Sequence, residues 1–271
     1  MSRNETQAQQ KAQEFRIQNG LGSQPIYDLI RLIELSTGCD VAVLDVPEDD
    51  HGLTMSDPER DTTFIGVART MNPMSQRSTL AHELGHILFE DHTVELGKRD
   101  RQEIRADAFA RHLLIPHQAV KAFLGEGDHC SLHSLSSVVQ HFLVSPQMAA
   151  IAMRDAKIID QETVNSWKAI TTPHLATQFG WSEVYATLQE TSNRIRPPQK
   201  LIARAISAYA DGLISAQVIA TLRGLPEDLV LQELEEAGIT PALPSFADYE
   251  LRDLPQVDID LSGLEDASDP E

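Results

Sequence analysis

Apolar residues recur along this chain at two different spacings, and the change between them divides it. Ile26, Leu29, Ile30 and Ile33 fall three or four apart and predict a helix that stops at Gly38. "CDVAVLDVP" then reads as a short buried strand ending at Pro47, and "TTFIGVA" as another, rich in β-branched and aromatic residues. The turn-rich stretch between them leaves room for a short strand around Leu53 to Met55. From Met71 onward the helical period takes over, with helices expected near 77–91, 100–115, 117–124, 132–143 and 146–157 and a further helical block over roughly 174–238. Few strands followed by many helices predict an α+β fold. The expected divisions are a polar leader (1–22), a main core (23–130), a helix-turn-helix-like segment (131–171), a C-terminal helical module (172–244) and a tail (245–271), with a soft boundary near 172 after "ITTPH".

Composition adds limits. The 271 residues are 41% hydrophobic and 23% charged, as in ordinary globular proteins. No apolar run approaches the roughly 20 residues that span a bilayer, and the polar start has no apolar core of the secretory kind. Cys39 and Cys130 are the only cysteines, which implies no disulfide framework and suits a reduced, cytoplasmic protein without membrane contact. A net charge of −19 argues against broad binding to nucleic-acid phosphates. Residues 245–271 hold nine Asp or Glu against one Arg and show no sustained helical period. They read as a disordered acidic tail, either solubilising or able to dock on a basic partner.

The chemistry concentrates in "STLAHELGHILFEDH", residues 78–92. His82, Glu83 and His86 spell H-E-x-x-H. Residues four apart share a helix face, so the two histidines can reach one zinc ion, while Glu83, offset by about 100°, stands beside it as a general base. Ser75 or Ser78 is placed to cap this helix. Leu80, Ala81, Leu84, Ile87 and Leu88 cover enough of its circumference to predict burial.

A catalytic zinc needs a third protein ligand. His92 gives a spacing that resembles the metzincin pattern, but Phe89 stands where that pattern has the Gly that turns the chain back. Glu103 is the expected ligand instead. Ala106, Asp107, Ala110 and Leu114 fall within about 60° of it around a helix, so small residues flank a carboxylate on one face. Asp107, one turn on, is placed to accept the outer N–H of a ligating histidine. His112 and Arg105 point away, the latter toward solvent.

"TLAHELGHILFEDH", a short spacer and "EIRADAFARHLLIP" together resemble the ImmA/IrrE family of zinc metallopeptidases, loosely over Ile26 to Arg154. The resemblance implies a zincin-like core with His82, His86 and Glu103 on Zn²⁺ and Glu83 as base. Arg105 departs from it, standing where many relatives carry an acid. It also implies a protein substrate, a helix-turn-helix transcriptional repressor of a phage, mobile element or stress regulon. The alternative is a regulator that sequesters such a repressor, with zinc only structural. "VVQHFLVSPQMAAIAMRD" looks like the family's helix-turn-helix-like segment, but its second helix is apolar and offers a DNA backbone only Gln147, Arg154 and Lys157. It is expected to pack rather than bind DNA.

Overall fold

The computed structural model describes residues 3–47, 52–57, 59, 62–91 and 101–242. Within them the fold is α+β, mostly helical around one small sheet. Helix α1 (Arg3–Gln18) and α2 (Leu29–Thr37) precede β1 (Asp40–Leu44), β2 (Leu53–Asp57) and β3 (Thr62–Ala68). The sheet order is β1-β3-β2: β1 runs parallel to β3, pairing Val41 with Ile65, and β2 runs antiparallel to it, pairing Thr54 with Ile65. Arg196 bridges to Val43 on the outer side of β1 and forks onto the Glu34 carboxylate, which covers that edge. β2 forms the opposite edge.

Helix α3 (Pro73–Leu88) follows the sheet. Its cap is Asn72, whose side chain accepts from Ser75 N, with Pro73 as first residue, rather than either serine expected for the role. The carbonyls of Ile26, Tyr27 and Leu143 all accept from the Arg77 guanidinium, tying α3 to distant segments. Burial lowers the Arg77 pKa to about 10, which leaves it charged. Helix α4 (Arg101–Leu114) lies against α3 with Ala106, Ala110 and Phe109 buried. Gly85 makes this approach close. A Cβ there would sit 3.1 Å from Phe109 Cδ1 and 3.3 Å from the Ala106 Cα.

The segment expected as a polar leader is instead integral to the fold. Helix α1 buries Ala8, Ala12 and Phe15 against α4. Arg16, itself buried, donates to Leu113 O at 2.5 Å and Gly22 O at 2.9 Å, and Glu5 pairs with Arg111 and His112. Its apolar stripe is made mostly of alanines, too small to stand out in a polar sequence.

Helices α5 (His117–Leu124), α6 (Leu132–Phe142), α7 (Pro146–Asp155), α8 (Gln161–Ser166), α9 (Thr172–Gln178) and α10 (Ser182–Ser192) continue the same core. On α7 Ala149, Ala150, Ala152 and Met153 are buried and Arg154 is bonded to Asp155 and Gln161. The boundary near 172 is displaced. Trp181 donates to Ser136 at 2.9 Å, and Ser192 exchanges bonds with Gln76 and Thr70 at the base of α3, so α9 and α10 belong to the main core. "TTPH" marks a helix cap, with Thr171 accepting from His174 N, and not a linker. The separate unit is α11 (Gln199–Ala210), α12 (Ala216–Arg223) and α13 (Glu227–Glu236), with its own core of Tyr209, Ile219, Val230 and Leu234. The acidic tail and His92 lie outside the described residues, and among those described no helix is long and apolar enough to cross a membrane.

Candidate metal centre

Helices α3 and α4 bring His82, His86 and Glu103 together in a group that could hold a metal ion. His86 is 5% exposed and Glu83 8% exposed. The state of the histidines follows from their outer neighbours. His82 Nδ1 lies 2.9 Å from Asp107 Oδ1, and His86 Nδ1 lies 3.1 Å from Asp91 Oδ2. A carboxylate only accepts, so each Nδ1 carries the hydrogen and each neutral ring keeps its lone pair on Nε2. Those two Nε2 atoms are 2.9 Å apart. Glu103 Oε2 is 3.2 Å from the first and Oε1 is 3.4 Å from the second.

Three electron pairs therefore converge on one point, where they repel unless something positive lies between them. A proton satisfies one pair; a metal ion satisfies all three. The His82 pKa carries the same message. Burial lowers it, but the hydrogen bond His82 donates to Asp107 and the charges of Asp107, Glu83 and Glu103 outweigh that, and it sits above the ordinary 6.5. The cluster attracts positive charge and its residues fit a metal ion.

Residues 36–154, the stretch that holds this cluster, match the family model of the IrrE N-terminal-like domain, the M78 peptidases. That stretch is an IrrE N-terminal-like domain. Comparison with curated proteins gives no significant match. The IrrE-like domain is thus metallopeptidase-like in family and in its cluster of ligands.

Four residues of the site are not evident from the sequence. Thr54 on β2 donates its hydroxyl to Glu83 Oε2 at 2.7 Å. Gly52, just before that strand, lies so close that a Cβ would be 2.8 Å from Glu83 Oε1 and 2.6 Å from Thr79 Cγ2. Nothing in the local pattern marks either residue, since the contact depends on how the sheet lies across α3. Asp91 and Arg105 are the other two. Arg105, expected to face solvent, turns onto Asp91 with Nη2 2.5 Å from Oδ1, its guanidinium 4.1 Å from the centre of the Phe89 ring. Helical phase gives where a side chain starts, and a long arginine bends toward a buried carboxylate regardless.

The end of α3 also bears on the question of Phe89. Phe89 is not the turning point: it keeps near-helical angles, and Glu90 takes φ 55°. Glu90 N donates to Ile87 O and Asp91 N to His86 O, which is the Schellman pattern with Glu where glycine is usual. The chain does turn sharply after the helix, and the residue it delivers beside His86 is Asp91.

Proposed function

We propose that the IrrE-like domain is a zinc-dependent endopeptidase, with His82, His86 and Glu103 holding the ion and Glu83 as general base. The carrying observation is the convergence of three lone pairs beside a carboxylate that is itself held in place. The two Nε2 atoms lie 2.9 Å apart and the Glu103 carboxylate lies 3.2 Å from one and 3.4 Å from the other, close enough for one ion to be shared by all three side chains. Bound there, Zn²⁺ supplies a polarised scissile carbonyl and an acidified water.

The residues of the chain do the rest. Glu83 takes the proton of the attacking water and returns it to the leaving amine. Thr54 and Gly52 restrict the Glu83 carboxylate from one side, so that it does not swing onto the histidines. β2 passes beside this base at the edge of the sheet, and an extended substrate segment pairing with that edge would run across the site. A site that accepts extended backbone needs a substrate with an unfolded or loop segment.

The substrate class we propose is a helix-turn-helix transcriptional repressor. Its support is the likeness to ImmA/IrrE proteins, together with the −19 charge, which favours a basic, DNA-binding protein over nucleic acid itself. The test is to incubate the purified protein with candidate repressors, with zinc, with a chelator, and as Glu83→Gln. Cleavage by the zinc form alone supports the reading. Binding without cleavage under every condition supports sequestration instead.

A further inference from the structure

We propose that Asp91 and Arg105 act as a positioning pair for His86, and that this pair couples the metal ligand on α4 to those on α3. The inference rests on the metal-site reading above and concerns residues which that reading does not need.

The two histidines are anchored in unlike ways. The Asp107 side chain beside His82 is 53% exposed, so water can share its charge. The Asp91 side chain beside His86 is 3% exposed. A carboxylate removed from water that far needs a cation or must give up its charge. Arg105 is that cation. One Asp91 oxygen accepts from His86 Nδ1 at 3.1 Å and the other from Arg105 Nη2 at 2.5 Å. Both oxygens are thereby committed, and the carboxylate has one orientation in which to meet the imidazole.

Among the described residues, Arg105 is in turn held by few contacts. Its Nε is buried and has no hydrogen-bond acceptor among the described residues. The guanidinium is placed by Asp91 at its tip and by the Phe89 ring beneath it, and Phe89 meets Phe109 edge-on at 6.0 Å. Arg16 and Arg77, by contrast, spread their donors over several backbone carbonyls. Among the described residues, the ion pair Arg105 makes is with the carboxylate behind a metal ligand.

The geometry also joins two helices. Arg105 lies two residues after Glu103 on α4, while Asp91 follows α3 through the turn at Glu90. Any slide of α4 along α3 that moved Glu103 away from the histidines would pull Arg105 from Asp91 and free the His86 ring. Carboxylate partners that orient a ligating histidine change metal affinity by about 10–100-fold when removed. Here the orienting carboxylate depends on a second residue, so the effect should appear at Arg105 as well.

The experiment is zinc affinity by chelator competition on the full chain, beside the visible spectrum of the cobalt-substituted protein and the melting temperature of the metal-free form. The parent is compared with Asp91→Ala, Arg105→Gln, Arg105→Lys and the double variant Asp91→Ala/Arg105→Gln. Asp91→Ala should weaken zinc about 10–100-fold and shift the cobalt bands. Arg105→Gln should move both readouts the same way, and Arg105→Lys should recover most of the loss because it restores a charge to Asp91. The double variant should bind no more weakly than Asp91→Ala alone, since Arg105 acts through Asp91. If Asp91→Ala does not fold, Asp91→Asn/Arg105→Gln keeps the shape without the charges and should still shift the cobalt bands. Lower melting temperatures with parental zinc affinity and an unchanged cobalt spectrum would overturn the proposal and leave an ordinary ion pair between helices. A parent chain that binds no zinc would instead overturn the metal site itself, and this inference with it.

Discussion

At the residue scale the site depends on a few side chains whose replacements separate binding from chemistry. Glu83→Gln keeps the shape of the base and removes its basicity, so it should retain zinc and lose cleavage by about 10²–10⁴-fold; parental turnover would show the base to be another group. Gly85 has a different role. An alanine there meets Phe109 and the backbone of Ala106 at 3.1 and 3.3 Å, and backbone yields less readily than a side-chain tip. Gly85→Val should push α4 from α3, at about 1–3 kcal/mol of stability, and should weaken zinc because Glu103 rides on α4. Thermal melting together with zinc titration checks it, and unchanged values in both would mean that the helices can part without cost to the site. His82, Glu83 and His86 were legible in the sequence because helical phase relates them on α3, and Glu103 because small residues share its face of α4. Thr54, Gly52 and Asp91 were not, because each reaches the site through tertiary placement: a strand crossing a helix, or a turn carried by a glutamate where glycine is the usual marker.

At the element scale the same distinction holds. The limits of β3 and α5 could be read directly from apolar runs and their punctuation, while α1 was missed because alanine carries its buried stripe. The α1–α4 contact makes a prediction of its own. Burial, with the charges of Arg111 and His117, lowers the His112 pKa below 6.5 despite the opposing hydrogen bond and charge of Glu5. Burial would raise Glu5, but the Arg111 charge and the hydrogen bonds from His112 and Arg111 bring it below 4.5. Asp155, 3.9 Å from Arg111, adds a further charge beside this contact. Both groups hold fewer protons folded than unfolded, so the contact is most stable above pH 6.5 and weakens in acid. The loss begins as pH falls through 6.5 toward the lowered His112 value, and a second step follows below 4.5. Melting temperature followed from about pH 7.5 to about pH 4 should fall in that order, and His112→Gln, which cannot take the proton but can still donate to Glu5, should flatten the first step. An equal slope in the variant would assign that step to other groups.

At the scale of the whole molecule, two cores divide the chain between α10 and α11, and the metal cluster lies entirely in the first. Arg196, which covers the β1 edge, precedes the second core. A chain cut after Pro198 should therefore keep zinc affinity near that of the parent with a modest drop in melting temperature, whereas loss of zinc binding would show that the small module supports the site. The location of this division was hidden in the sequence because Pro173 opens a helix of the main core while Pro197 and Pro198 mark the real break. The central claim is that His82, His86 and Glu103 hold one zinc ion, with Glu83 beside it and not on it. Zinc content per chain after equilibrium dialysis tests this most directly, across the parent, Glu83→Gln, Glu103→Ala and His92→Ala. The account predicts one zinc per chain in the parent, in Glu83→Gln and in His92→Ala, with little in Glu103→Ala. Full zinc content in Glu103→Ala, with loss in His92→Ala, would contradict it.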